Sequence, residues 1–275
     1  MNMRNQQLFI SFFKVLYRNP KILIGFLMIF SVIYSYEYFI AREKMTIYGV
    51  PESNDRSSFV RIFRNDGFML GYSDIRANPL WVIYKLSNSD QVQKLKRVKN
   101  FSPDIRTLYL VNTQDYTNSG YDRGHLAPNY AISSLYGKDG QKSTFLMSNI
   151  TPQNPNLNQH IWKKLEIMEF DTFRHQFKEL WVLTGPVFDK NISFLKGSRR
   201  IQVPDAFYKI YLGKDDSKTL KSFAVLIPQN VKKNAKIEDY IESIDSIEEQ
   251  TKIDFFPSLD LKIQEKIESQ KNKIF

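Results

Sequence analysis

The run Ile22–Ile40 constrains this chain before anything else. Its nineteen residues are almost wholly apolar, with Glu37 the single charge. A bilayer-crossing helix needs roughly 20 such residues. Arg4, Lys14, Arg18 and Lys21 precede the run, so the positive-inside rule keeps residues 1–21 in the cytoplasm and sends the remainder outward. Tyr34, Tyr36 and Tyr38 fall toward the outer end, where amphipathic rings prefer the headgroup region. The expectation is a single-pass signal-anchor over residues 22–40. It carries the rest of the chain into a periplasm or other extracytoplasmic space, with a mitochondrial intermembrane space as the alternative. Two other readings compete. A cleaved signal peptide needs small residues before the cut, which Phe39-Ile40-Ala41 supplies poorly, and a buried soluble helix leaves the cationic flank unexplained. The earlier run Leu8–Tyr17, broken by Asn19-Pro20, reads as a short amphipathic segment at the cytoplasmic face.

Residues 41–58, with Pro51, Ser53, Asn54 and Asp55, read as a polar linker. From there strands and helices alternate without a repeat or a second boundary, which predicts one α+β domain over residues 59–260. Strands are expected at Phe59–Phe63, Phe68–Tyr72, Pro79–Leu86, Leu108–Val111, Glu179–Leu183, Phe207–Leu212 and Phe223–Ile227, rich in β-branched and aromatic residues. Helical periodicity runs over 156–177, with Leu157, Ile161, Leu165 and Met168 on one stripe. Residues 237–250 read as a second helix, and 261–275 as a helix or a fraying tail.

Composition narrows the partner. The chain carries 39 Lys and Arg against 29 Asp and Glu. Six of those cations and two of the acids lie before residue 45, leaving 33 against 27 in the remainder. A basic globular part favours a polyanionic partner, although a solvated basic surface looks the same in a sequence. The absence of cysteine excludes disulfides, thiolate metal sites and a cysteine nucleophile. The three histidines, His125, His160 and His175, lack a paired metal-ligand spacing, which argues against a zinc hydrolase. Neither a glycine-rich phosphate loop nor a Gly-x-Ser-x-Gly elbow is present.

Two clusters carry chemistry. The first is Gly120-Tyr121-Asp122-Arg123-Gly124-His125-Leu126-Ala127-Pro128. An imidazole titrates near neutrality and suits a general base, and Arg123 offers a planar cation for a phosphate. In a strand, positions 123 and 125 share a face, so both converge on one substrate group. Gly124 leaves room for close backbone approach, while Asp122 faces the other way and braces the loop. A satisfied polar histidine with no such role explains this motif alone equally well.

The second cluster is Phe145-Leu146-Met147-Ser148-Asn149-Ile150-Thr151-Pro152-Gln153, followed by Leu157-Asn158-Gln159, Trp162 and Leu165-Glu166. Asn158 and Glu166 lie about two helical turns apart, an amide and a carboxylate on roughly one face. Such a pair is a plausible Mg²⁺ site, because Mg²⁺ keeps several waters and needs few protein ligands. An N-cap asparagine and a surface glutamate are the bland alternative.

Together the clusters closely resemble the DNA/RNA non-specific endonuclease family, which includes secreted Serratia-type nucleases and mitochondrial endonuclease G. The similarity runs from about Gly71 to Pro257. It includes Asn78-Pro79-Leu80-Trp81-Val82-Ile83-Tyr84, the Asp-Arg-Gly-His core, Ser148-Asn149-Ile150-Thr151-Pro152-Gln153 with Leu157-Asn158-Gln159, Thr184-Gly185-Pro186 and Asp254-Phe255-Phe256-Pro257. The resemblance implies a ββα-metal nuclease fold, a central antiparallel sheet flanked by helices. It implies His125 as general base, Asn158 as direct ligand of Mg²⁺ (with Mn²⁺ as a substitute), and Glu166 reaching the metal through water. Arg123 and Asn149 would steady the phosphate or its transition state. A further family arginine maps to Arg97, with Lys99 as the rival position. One departure stands out: Phe170 occupies the position, four residues after Glu166, where family members carry an arginine. Arg174 or Lys163 would have to substitute.

The implied activity is Mg²⁺-dependent, sugar-non-specific hydrolysis of DNA and RNA to 5′-phosphate and 3′-hydroxyl ends. A homodimer and a host inhibitor protein are further family features, and no segment here marks an interface for either. The leading alternative is a catalytically silent, membrane-held nucleic-acid-binding protein, which charge and anchor fit equally well. A third reading is a phosphodiesterase acting on another ester, such as a phospholipid headgroup near the anchor.

Overall fold

β-branched and aromatic residues gather where the strands form. The computed structural model describes residues 11, 14 and 17–275, apart from 190 and 216–218. Contacts divide the chain into two units, one ending at Lys44 and the other running from Met45 to Phe275.

In the first unit, helix α1 spans Pro20–Tyr36 with proline in its first turn, where the missing N–H is not needed. It continues as a π-helical turn over Glu37–Ala41, and Arg42 pairs with Glu37 at 3.5 Å. None of the α1 side chains is buried. The helical stretch Pro20–Met45 is long and apolar enough, by length and composition, to cross a membrane. The amphipathic segment expected at Leu8–Tyr17 lies largely outside the described residues.

The second unit runs through β1 (Glu52–Ser53), β2 (Val60–Asn65), β3 (Phe68–Ser73), β4 (Asn78–Ser87) and β5 (Asp122–His125). Helix α2 (Asn129–Thr144), β6 (Ile150–Gln153), α3 (Lys163–Asp171), β7 (Glu179–Val187), β8 (Ala206–Lys214) and β9 (Leu220–Pro228) follow. The unit closes with β10 (Ile241–Glu242), α4 (Ile244–Thr251), β11 (Ile253–Asp254) and α5 (Leu261–Glu268). Seven strands form one antiparallel sheet in the order β10-β9-β8-β7-β4-β3-β2. β5 and β6 pair separately as a small hairpin, and β1 pairs with β11.

Strands β4 and β7 are buried on both faces, which is why they read as continuous apolar runs rather than alternating ones. On one face Val82, Tyr84 and Leu86 meet Leu126, Leu157, Trp162, Leu165 and Phe173. On the other, Trp81 and Ile83 belong to the cluster of Ile47, Ile244, Ile247, Phe255 and Ile267.

Several boundaries differ from expectation. The stretch read as a linker joins the folded unit from Met45 onward, because Ile47 is buried in the second cluster and Glu52–Ser53 pairs with Ile253–Asp254. Leu108–Val111 is not a strand; Leu108 and Leu110 are exposed, and the Leu108 N–H donates to the Asp74 carboxylate instead of a ladder partner. The helix expected over 237–250 breaks into a 3-10 turn, β10 and α4. Ile241 and Glu242 pair with β9, and the Ser243 side chain then caps a new helix by accepting from the Ser246 N–H. The helix expected over 156–177 ends at Asp171 and is followed by a 3-10 turn, Phe173–Gln176. Helix α2 has no apolar stripe in its sequence and was not expected; it bends at Gly137, whose φ is 75°. The C-terminal stretch takes the helical alternative, as α5 over Leu261–Glu268, and Phe275 beyond it packs edge-on against Phe173, Phe177 and Phe223, so the folded unit extends past residue 260.

Candidate active site

The Asp-Arg-Gly-His motif forms β5, held in register by β6: Asp122 opposite Gln153, Arg123 opposite Pro152, Gly124 opposite Thr151 and His125 opposite Ile150. Thr151 fixes this hairpin to the large sheet by donating to Asn78 Oδ1 at 2.9 Å. The Asn78 amide in turn donates to the carbonyls of Arg76 and Gln202. Gly124 serves this packing, not a ligand: a Cβ there would collide with the Gln153 side chain.

After β6 the chain enters a π-helical segment, Leu157–Trp162, before α3 begins. π turns often mark functional sites. In a plain α-helix, residue 166 would fall roughly 80° past two full turns from residue 158. The wider π turns rotate less per residue, which carries Glu166 back toward the face of Asn158. Both line one open cleft of about 700 Å³, together with Arg97, Arg123, His125 and Lys163.

Each expected residue has a distinct setting. The His125 ring lies between Phe101 and Phe145, at centroid distances of 5.4 and 5.2 Å, and its Nε2 has no hydrogen-bond partner. Burial, with the Arg97 guanidinium adding to it, pushes this imidazole down to about 3, so it is neutral at ordinary pH. The Trp162 indole N–H donates to the His125 carbonyl at 3.3 Å, tying the strand to the helix. Arg123 donates through Nη2 to the Thr113 carbonyl and keeps a buried, unpartnered Nε. Arg97 leans over Phe145 and reaches the cleft, and Lys99 does not line it.

Asn158 donates through Nδ2 to Asp122 Oδ2 at 2.9 Å, and Gln159 donates to the same oxygen at 2.8 Å. With its amide nitrogen engaged, the Asn158 carboxamide keeps Oδ1 as its remaining polar end. Asp122 therefore braces the helix rather than the loop. Burial raises Glu166 to about 7 against the lowering pull of Lys209. The donor set of one amide oxygen and one carboxylate, without sulfur, fits a hard divalent cation.

Asn149 stands apart from the cleft. It is fully buried, accepts from the Ala127 N–H and donates to the carbonyls of Ala127 and Thr144, so its amide is spent on holding the turn after His125. Arg174 is likewise committed: it is buried, donates to the carbonyls of Phe170, Ser87 and Ser89, and stacks at 4.2 Å over Phe170. Of the two cations considered in place of the absent arginine, only Lys163 reaches the cleft.

Sequence reasoning missed two features. Tyr130 lines the cleft and is largely exposed; only its position two residues past Ala127-Pro128 hinted at it. Beneath Glu166, one turn further along α3, Glu169 is fully buried and pairs with Lys209 at 2.5 Å while accepting from Tyr84 and Tyr211. Nothing local in the sequence marks residues 84, 169, 209 and 211 as neighbours.

The sequence pattern of the DNA/RNA non-specific endonuclease family matches residues 43–262, spanning hairpin, helix and sheet alike. The chain belongs to that family. Among similar proteins, a nuclease of Nostoc sp. is 33% identical over 74% of this chain and 76% of its own length. The mitochondrial nuclease EXOG of Danio rerio is 29% identical over 77% of this chain. The chain spans 64% of that protein's length and 57% of the length of its Xenopus laevis counterpart. A crystal structure of an EndoG/EndoGI complex has the same fold, with a TM-score of 0.64 at 24% identity, covering 72% of this chain and 86% of that one. The family's mixed α/β fold with an antiparallel sheet is thus the fold found here.

Proposed function

We propose that this chain is a Mg²⁺-dependent endonuclease that hydrolyses the phosphodiester bonds of both DNA and RNA, leaving 5′-phosphate and 3′-hydroxyl ends. The observation carrying this reading is the unpartnered Nε2 of a neutral His125, set in one cleft with Asn158, Glu166, Arg97 and Arg123.

His125 takes a proton from the water that attacks phosphorus in line, a role open only to the neutral ring. An incoming phosphate brings negative charge beside the imidazole, favours its protonated form and draws its pKa upward, so the base strengthens when substrate is present. Arg123 and Arg97 hold the phosphate oxygens. Asn158 through Oδ1, with Glu166, would hold the cation, which when bound supplies positive charge against the charge developing on the phosphoryl and leaving oxygens. Contacts centred on phosphate carry little base information, which accounts for action on both nucleic acids. Tyr130 at the cleft edge offers a ring on which any base can stack. Helix α1 would hold the enzyme at a membrane with its catalytic unit outside the cytoplasm.

The test is cleavage of supercoiled plasmid, single-stranded DNA and RNA with Mg²⁺ or EDTA, with His125→Ala as the control. Metal-dependent cutting of all three, lost in the variant while DNA binding persists, is the expected result. A folded protein that binds DNA and cuts none of them overturns the proposal in favour of a silent binder.

A further inference from the structure

On the sheet face away from the cleft, Asp245 and Glu248 of α4 and Glu268 of α5 bring one carboxylate oxygen each to within 4.8 Å of one another. The arrangement is built by the core: Ile244 and Ile247 of α4 and Ile267 of α5 are buried in the same apolar cluster and hold the two helices against the sheet. The three acids differ in setting. Asp245 is exposed. Glu248 is part-buried and accepts from the Phe255 N–H at 2.7 Å. Glu268 is only 5% exposed, and its Oε1 is buried with no hydrogen-bond partner.

Among the described residues, no lysine or arginine forms an ion pair with any of the three. Burial first, then the neighbouring carboxylates, pushes Glu248 up to about 7 and Glu268 up to about 8. A buried carboxylate is ordinarily paired, hydrogen-bonded or bound to a metal, and the first two are missing at Glu268 Oε1.

We infer that Asp245, Glu248 and Glu268 form a second, structural site for a hard divalent cation of the Ca²⁺ type, clamping α5 to α4. Oxygens no more than 4.8 Å apart match ligands of one Ca²⁺ ion, whose oxygen distances are about 2.3–2.6 Å and whose six to eight ligands include waters. Exposed Asp245 leaves the outer side open for those waters. The clamp would fix the C-terminal segment, where Lys271 pairs with Glu242 and Phe275 enters the aromatic cluster. The inference does not depend on nuclease activity.

Thermal unfolding of the full chain in detergent, stripped with EDTA and titrated with CaCl₂, tests it. At a hundredfold excess over Kd the midpoint should rise on the order of 5–10 °C. Asn158→Ala, which removes the cleft ligand, should keep that rise. Glu268→Gln should lose it while melting no lower than wild type in EDTA below about pH 8, since the amide replaces a carboxyl of the same shape that burial already keeps protonated there. Asp245→Asn, at the exposed rim, should weaken Ca²⁺ affinity about tenfold without touching the core. A Ca²⁺ rise that survives in Glu268→Gln or Asp245→Asn at wild-type affinity overturns the site. So does a rise abolished by Asn158→Ala, or none in wild type.

Discussion

Replacing Asp122 by alanine removes the acceptor that two neighbouring amides share, Asn158 Nδ2 at 2.9 Å and Gln159 Nε2 at 2.8 Å. The Asn158 carboxamide would then be free to rotate, and its oxygen would no longer be held in one orientation. A hydrogen bond to a charged group is worth about 1.5–3 kcal/mol, and Asp122 and Asn158 are only partly buried, so the lower half of that range applies. At 1.4 kcal/mol per decade, cation affinity should fall about 10- to 40-fold, within the range of roughly 10- to 100-fold found when a ligand's supporting partner is lost. The assay is plasmid cleavage as a function of Mg²⁺ concentration at fixed substrate. Half-saturating Mg²⁺ should rise by that factor while the rate at saturating Mg²⁺ stays within a few-fold of wild type, because His125 and the arginines are untouched. Asp122→Asn, which keeps an oxygen but can present the wrong end of its amide, should fall between the two. An unchanged half-saturating Mg²⁺ in Asp122→Ala would refute the argument that this carboxylate orients the ligand.

Three further outcomes follow from the same geometry. Glu166 is raised to about 7, so it is protonated below that pH and ionised above it; activity at limiting Mg²⁺ should therefore climb as pH rises through about 7. Excess Mg²⁺ should move that limb to lower pH, and a limb unmoved in Glu166→Gln would assign it elsewhere. Lys209→Met strands the fully buried Glu169 carboxylate and should destabilise the fold by about 3–5 kcal/mol in urea titrations; a loss below about 1 kcal/mol would mean that the buried pair contributes little to the fold. Phe170→Arg, which installs the arginine that the sequence resemblance implies at this position, should lower stability by several kcal/mol rather than raise activity, because the site is buried and the Arg174 guanidinium already lies 4.2 Å from the ring. A stable, faster variant in melting and cleavage assays would show that the region repacks.

Strands at β4, β7, β8 and β9 were legible because their apolar runs survive burial on both faces, and local composition alone carries that signal. Helix α2 was not, since Ser133, Ser134, Gly140 and Gln141 are buried there without any apolar period to announce it. Residues 45–58 looked like a linker because a scatter of polar residues masks the few, Ile47 among them, that enter the core. At the site, chemistry was legible and direction was not. Residue type and spacing made His125, Arg123, Asn158 and Glu166 candidates and the resemblance selected them, yet Asn149 and Arg174 carry equally suitable groups. Backbone carbonyls distant in sequence decided that both would be spent on structure.

The sequence by itself determined the apolar helix, the strands of the sheet and the strings by which the chain belongs to its family, since each is written in consecutive residues. Tertiary structure decided the rest. The π turns phase Glu166 with Asn158, Asp122 turns toward the helix instead of the loop, and Lys209 meets Glu169 across 40 residues of chain. Those outcomes depend on which polar groups find partners once water is excluded, and partners far apart in sequence leave no local pattern to read.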